Sequence, residues 1–217
     1  MAPYYFQQVK NATDEQLAYS AKLFSELMAG DTGVLALTGG EISLVAVMAL
    51  SILRAGALAG GEFYTATNEE GEIIGFTLWM PPGQDMFSTE QQRSLGFQDF
   101  LSKMPEIGKE YFKTTYLAQF PGFVDEHLGP AGKKESWWMH MCFVRPEYQR
   151  QGVARALIEL VHEKASNHLL ACTSTSDENI AVYKAIGFTH RGTRIMPSPW
   201  GEWPIHLFSW ETYAVLA

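Results

Sequence analysis

Short apolar runs and period-two stretches alternate along this chain with stretches of helical spacing. Residues 4–9 alternate as a strand does, and Thr13 stands where an N-cap belongs, ahead of a helix expected from about residue 14 to 28. Gly39-Gly40 leads into a second helical pattern over 41–58. Residues 63–67 and 73–79 predict two strands, joined by the turn sequence Asn68-Glu69-Glu70-Gly71 and ended by Pro81-Pro82-Gly83. A further apolar strand over 138–144 stops at Arg145-Pro146, because proline cannot continue ladder pairing. Gln149-Arg150-Gln151-Gly152-Val153-Ala154 then opens a helix with Val153, Leu157, Leu160 and Val161 on its apolar face. A strand over 168–175, a short helix ended by Gly187, and two strands around Pro197-Ser198-Pro199-Trp200-Gly201 complete the pattern.

Residues 84–135 break this regularity. Helical pieces are expected around 90–103 and 107–117, with interruptions at Pro121-Gly122 and Gly129-Pro130. Excursions of about fifty residues in a compact domain serve as lids, binding loops or interfaces. Most of the aromatics here, Phe97, Phe100, Tyr111 and Phe120 among them, are expected to form a satellite core, with a few turned toward a substrate.

Composition narrows the class. A chain of 217 residues suffices for a single domain, taken as 1–217, and 47% hydrophobic content suits a globular enzyme. The net charge of −8 argues against a nucleic-acid partner and accommodates a cationic substrate. Cys142 and Cys172 sit in apolar runs, as small buried thiols in a reducing compartment would. Residues 1–10 lack a secretory pattern, and the apolar stretch 42–59 is interrupted by Ser43, Ser51 and Arg54. The expectation is therefore a cytoplasmic protein with no membrane span. No metal is expected, since no His, Cys and carboxylate set has ligand spacing.

The most informative stretch is the turn at 145–154. A strand, a tight turn and a helix start with a glycine in its first turn make an anion cradle, where unpaired N–H groups converge. Gln149 to Ala154 also matches the pattern Gln/Arg-x-x-Gly-x-Gly/Ala of the GNAT acyltransferase superfamily, and Asn179, Tyr183 and Gly187-Phe188 resemble its second signature, Asn-x-x-x-Tyr-x-x-x-Gly-Phe. The resemblance implies an α/β (α+β) fold of GNAT type: a central mixed, mostly antiparallel sheet flanked by helices, here with a helical insertion at about 84–135. It implies acetyl-CoA as co-substrate, held by Cys142, Phe143, Val144, Gln149, Arg150, Gln151, Gly152, Val153, Ala154, Arg155, Asn179 and Tyr183. Arg150 replaces a glycine often found in the pattern, and Arg150 and Arg155 either support phosphates or stand as solvated arginines.

Transfer of an acyl group from a thioester to an amine needs a proton acceptor for the amine, donors for the oxyanion and a proton for the departing thiolate. Strand alternation places Trp138, His140 and Cys142 on one face and Met139, Met141 and Phe143 on the other. In the superfamily the strand before the Gly-turn lines the reaction centre, so the resemblance implies His140 as the base, against the alternative of a hydrogen-bonded core histidine. Tyr183, on the second signature's tyrosine, is the expected acid, and the backbone N–H of Val144 or Phe143 the expected oxyanion donor. No enzyme nucleophile is needed, so Cys142 reads as a packed thiol. The layout is loosely similar to that of the puromycin N-acetyltransferases, which implies a small-molecule amine acceptor and directs attention to Trp79, Trp138 and Thr173 as acceptor-facing residues. A protein lysine or N-terminal acetyltransferase and a non-catalytic acyl-CoA-binding module remain as alternatives, and the oligomeric state, monomer or homodimer, stays open.

Overall fold

A computed structural model describes residues 4–212. Its centre is β3 (Ile73–Met80), in which every residue is buried. Strands covered on both faces read as continuous apolar runs, and Ile73-Ile74-Gly75-Phe76-Thr77-Leu78-Trp79-Met80 is one. β1 (Tyr5–Gln8) and β2 (Glu62–Thr67) pair on one side of it, and β4 (Trp137–Val144), β5 (Leu169–Ser174), β7 (Trp203–Glu211) and β6 (Thr189–Met196) follow on the other. The described strands form one seven-stranded sheet in the order β1-β2-β3-β4-β5-β7-β6, and β4–β5 is its parallel pair among antiparallel ones.

Helices cover both faces. α1 (Asp14–Leu27) starts at a capping box in which Thr13 and Gln16 satisfy each other's backbone N–H. With α3 (Val45–Leu58) it buries Leu17, Phe24, Val45 and Leu53 against Phe63, Phe76 and Leu78. On the opposite face α9 (Val153–Lys164) buries Val153, Leu157, Ile158 and Val161 against Ile74, Trp79 and Met139, with α10 (Glu178–Ile186) beside it. Between α1 and α3 lies a short helix, α2 (Thr32–Leu37), that the apolar pattern does not predict. Six residues are too few to display a helical period, so its N-cap, Asp31, is its one sequence signal.

The insertion is helical and docked. It comprises α4 (Glu90–Gln92), α5 (Gln98–Lys103), α6 (Glu106–Tyr111), α7 (Leu117–Leu128) and α8 (Gly132–Glu135), with a kink at Leu95-Gly96 between α4 and α5 and a π-helical turn over Phe112–Tyr116. Pro121 does not break a helix as expected: it lies in the second turn of α7, where a wider π-helical turn precedes it. The seat on the core is tight. A Cβ at Gly108 would come within 2.5 Å of the Gly39 Cα, so two glycines allow α6 to cross the end of α2. Trp203 Nε1 donates to the Tyr111 hydroxyl at 3.0 Å, and Arg194 donates to the Gln119 carbonyl at 3.2 Å.

One irregularity sets the site. Leu78 pairs with Met141 but Trp79 pairs with Met139, so His140 is an extra residue, a β-bulge in β4. The simple alternation expected for this strand is therefore corrected. Trp137 and Met139 face α9, and beyond the bulge Cys142 and Val144 face that side too, while Met141 and Phe143 pack toward α1 and α3.

Candidate acyl-transfer site

β4 and β5 pair only at Trp137–Leu170, Trp138–Ala171 and Met139–Cys172, and the two strands part beyond that point. Arg145 N donates to the Ile74 carbonyl at 2.9 Å, which fixes the ladder phase: Phe143 and Arg145 turn their amides toward β3, and Cys142 and Val144 turn theirs into the gap. Gln149 Nε2 reaches the Val144 carbonyl there at 3.0 Å. The gap thus holds backbone donors on Cys142 and Val144. Phe143, the other expected oxyanion donor, is corrected on this ground: its amide belongs to the ladder, and its ring packs 4.9 Å from that of Phe24.

Below the gap lies the turn in which the cradle is expected. A 3₁₀ turn at Pro146–Tyr148 leads to Arg150 at φ 58° and Gly152 at φ 84°, both left-handed. Gly152 is the N-cap of α9 and offers no side-chain cap, and the first backbone bond back to it comes from Ala156 N at 3.0 Å. The amides of Val153, Ala154 and Arg155 are consequently outside the helical ladder. A Cβ at Gly152 would meet nothing within 4 Å, so the space before these amides is open. They border a cavity of about 500 Å³ between α9 and α10, which brings together Cys142, Val144, Gln149, Arg150, Gly152, Val153, Ala154, Arg155, Asn179 and Tyr183.

Two expected cofactor residues use their side chains otherwise. Gln151 turns away, donating to the Glu147 carbonyl at 2.7 Å and accepting from the Tyr4 hydroxyl at 2.5 Å. Arg155 donates to the carbonyls of Ala185 and, at 3.2 Å, Ile186, so its guanidinium clamps the end of α10 to the start of α9.

A second cavity of about 290 Å³ shares Cys142, Asn179 and Tyr183 with the first and adds Trp138, His140 and Thr173. Asn179 Nδ2 donates to Ser174 Oγ at 2.9 Å, which holds the start of α10 to the end of β5. The Tyr183 ring leans on Phe188 and Phe208, and burial, reinforced by the neighbouring Cys172 and Cys142, raises its pKa well above the usual phenol value. It stays a proton donor at neutral pH. Burial also pushes the Cys142 thiol up to about 12, so this sulfur is protonated and a poor nucleophile.

His140 projects from the bulge toward this cavity. Burial, with a smaller contribution from Lys133, lowers its pKa to about 3. Its Nε2 is buried and has no hydrogen-bond partner in the protein. The ring is therefore neutral across the physiological range.

A third cavity, of about 540 Å³, meets the second at His140, Tyr116, Phe120 and Lys133. Its wall is supplied largely by the insertion, through Phe87, Phe97, Phe100, Phe112, Tyr116 and Phe120. Phe87 and Phe97 stack at 3.9 Å, and Tyr116 and Phe120 at 5.2 Å. More of these rings face a cavity than the satellite-core expectation allowed. Trp79 does not join them: it is fully buried in the core beneath α9, on the face of β3 that Gly75 also turns toward Val153. Sequence reasoning also passes over Asp31, Lys133 and Thr175, which line the second cavity from distant segments and carry no motif.

The profile of the acetyltransferase (GNAT) family matches residues 40–188. The chain belongs to the GNAT acetyltransferase family. As a member it is an acyltransferase, and its two signatures lie on the cradle and on α10. Sequence comparison with curated proteins gives no match. Solved structures share the fold at low identity. A Corynebacterium glutamicum protein described as histone acetyltransferase HPA2 and related acetyltransferase superposes with TM-score 0.64 at 16% identity, covering 100% of both chains. A protein described as arylalkylamine N-acetyltransferase 7 of the yellow fever mosquito gives 0.63 at 10% identity, covering 96% of this chain and 87% of its own. A Salmonella typhimurium protein solved with its cofactor acetyl-CoA gives 0.54 at 13% identity, covering 99% and 96%. Among the described residues no cluster of three or more His, Cys, Asp and Glu side chains can hold a metal ion, and no helix is long and apolar enough to cross a membrane.

Proposed function

We propose that this GNAT acetyltransferase transfers the acetyl group of acetyl-CoA to the primary amine of a small apolar molecule in a ternary complex. The observation that carries this reading is the aromatic cavity of about 540 Å³ that opens onto the reaction centre at His140. Its size suits a small ligand rather than a polypeptide. A peptide acceptor needs an open groove, and here the insertion walls the approach with Phe97, Phe112, Tyr116 and Phe120. Detoxification of an amine-bearing xenobiotic or antibiotic is a role such a pocket would serve. The two free thiols, Cys142 and Cys172, suit a reducing compartment such as the cytoplasm.

When bound, acetyl-CoA supplies an activated thioester. The residues of the cradle fit it: the amides of Val153, Ala154 and Arg155 face open space and suit a pyrophosphate, as uncapped helix starts do. Cys142 and Val144 offer their N–H groups in the gap as donors to an extended arm or to a developing oxyanion. His140 presents a neutral imidazole that accepts a proton or hydrogen bond from the amine, directly or through water. Tyr183, held as a phenol, returns a proton to the leaving sulfur.

A thiol-release assay with acetyl-CoA tests the proposal against apolar primary amines, polar amines, lysine peptides and N-terminal peptides. Turnover concentrated in the apolar amines is expected. Faster turnover of peptides favours a protein acetyltransferase, and acetyl-CoA binding without turnover of any acceptor favours a regulatory module.

A further inference from the structure

The central cavity contains a carboxylate with no part in the chemistry so far, and we propose that Asp31 binds the ammonium group of the acceptor amine. This rests on the amine-acetyltransferase reading and names the residue that recognises the charged end of the substrate. Asp31 is the sole carboxylate among the described residues lining the cavity that also holds His140, Cys142 and Tyr183. The wall around it is largely apolar, with Phe24, Met28, Val34, Met48 and Ile52. In such surroundings an ion pair is screened less than in water.

The carboxylate is held in place. Its Oδ1 accepts from Val34 N at 2.8 Å as the N-cap of α2, and its Oδ2 accepts from the Thr175 hydroxyl across the cavity floor. Two donors occupy two of about four acceptor positions on a carboxylate, so lone pairs remain for an ammonium. Gly33 permits the arrangement. A Cβ there would lie 2.7 Å from the Trp203 ring and 2.9 Å from Thr175 Cγ2, so a larger residue would push α2, and Asp31 with it, away from Thr175.

No second carboxylate among the described residues of this lining competes for a cation. Lys133, the other charged group in its lining, pairs with Asp85 and lies 5.3 Å from the Trp138 ring centre. Lys133 also disfavours positive charge on His140. A cationic amine is therefore drawn to Asp31, in the cavity that the neutral imidazole also lines. Recognition and proton removal fall to different residues.

Calorimetry on the full chain tests this with two probes of one shape, 2-phenylethylammonium and the uncharged 2-phenylethanol. The intact protein is expected to bind the cation at least tenfold more tightly than the alcohol, the size of one charge-assisted hydrogen bond. Asp31→Asn and Asp31→Ser both retain a helix cap, so either folded variant serves. Each is expected to lose the preference while binding the alcohol as before. A preference that survives in a variant overturns the assignment, as does its absence in the intact protein. Acetylation of 2-phenylethylamine is followed separately. A protein that prefers the cation through Asp31 and acetylates no amine refutes the enzymatic reading and leaves the Asp31 assignment standing.

Discussion

Acidification isolates the environment of His140. In the unfolded chain its imidazole titrates near 6.5, whereas in the fold burial holds it at about 3. A group whose folded pKa is depressed in this way leaves stability untouched above the unfolded value. As pH falls below about 6.5, the unfolded chain takes up a proton that the folded state refuses, and stability drops until about pH 3. At pH 5 the unfolded histidine lies about 1.5 pH units past its midpoint, each unit corresponding to about 1.4 kcal/mol, so the loss is about 2 kcal/mol. The comparison is with His140→Met, which fills the site with an apolar side chain that does not titrate. Other acid-sensitive groups, including His206, whose pKa burial also lowers, are common to both proteins and cancel. Urea unfolding at pH 7.5 and at pH 5 supplies the double difference. With a slope of about 2–3 kcal/mol/M, the wild-type midpoint is expected to fall about 0.7–1 M further than that of the variant. Parallel losses would show that His140 is solvated enough to protonate in the fold, and the neutral-imidazole mechanism would fall with that result.

Three further outcomes are expected. Gly152→Asp keeps the fold, since Asp tolerates a left-handed backbone and caps helices well, but its carboxylate occupies the anion cradle. Acetyl-CoA affinity by calorimetry should fall ~10–100-fold, as for one lost charge-assisted hydrogen bond, and unchanged affinity in folded protein removes the cradle assignment. Tyr183→Phe should lower kcat ~100-fold, near the lower end for a general acid, and lower it less with an acyl donor whose thiol is more acidic; equal losses with both donors indicate a positioning role. Arg155→Met should remove the clamp on the end of α10 at a cost of about 1 kcal/mol, or about 2–4 °C in a chain of this size by scanning calorimetry, and an unchanged Tm would mean that the clamp contributes nothing.

Features written into adjacent residues are legible in the amino-acid sequence. The cradle at Gln149 to Ala154 and the helix from Asn179 to Gly187 each reside in one short segment, and their chemistry follows from local geometry. The Thr13 cap and the hairpin at Asn68 to Gly71 are readable for the same reason. The bulge at His140 is not, because an extra residue in β4 is defined only by what stands opposite in β3. Trp79 lies in a strand buried throughout, where a tryptophan facing the acceptor and one buried under α9 have the same neighbours in sequence. Asp31 and Thr175 lie 144 positions apart and meet only through the packing of α2 on β7. The aromatic residues of the insertion are visible as a group, but which rings face inward depends on how Gly108 lets α6 settle against Gly39.

The docking of the insertion on the sheet separates two kinds of selection. The groups proposed to hold the acyl donor come from β4, α9 and α10, while most of the aromatic wall comes from one uninterrupted stretch of the chain. Substitutions within that stretch can reshape the acceptor chamber and leave the donor cradle unaltered. If that wall selects the acceptor as proposed, a protein engineer can retune which acceptor is taken by editing a single contiguous coding segment, with the transfer chemistry carried along unchanged.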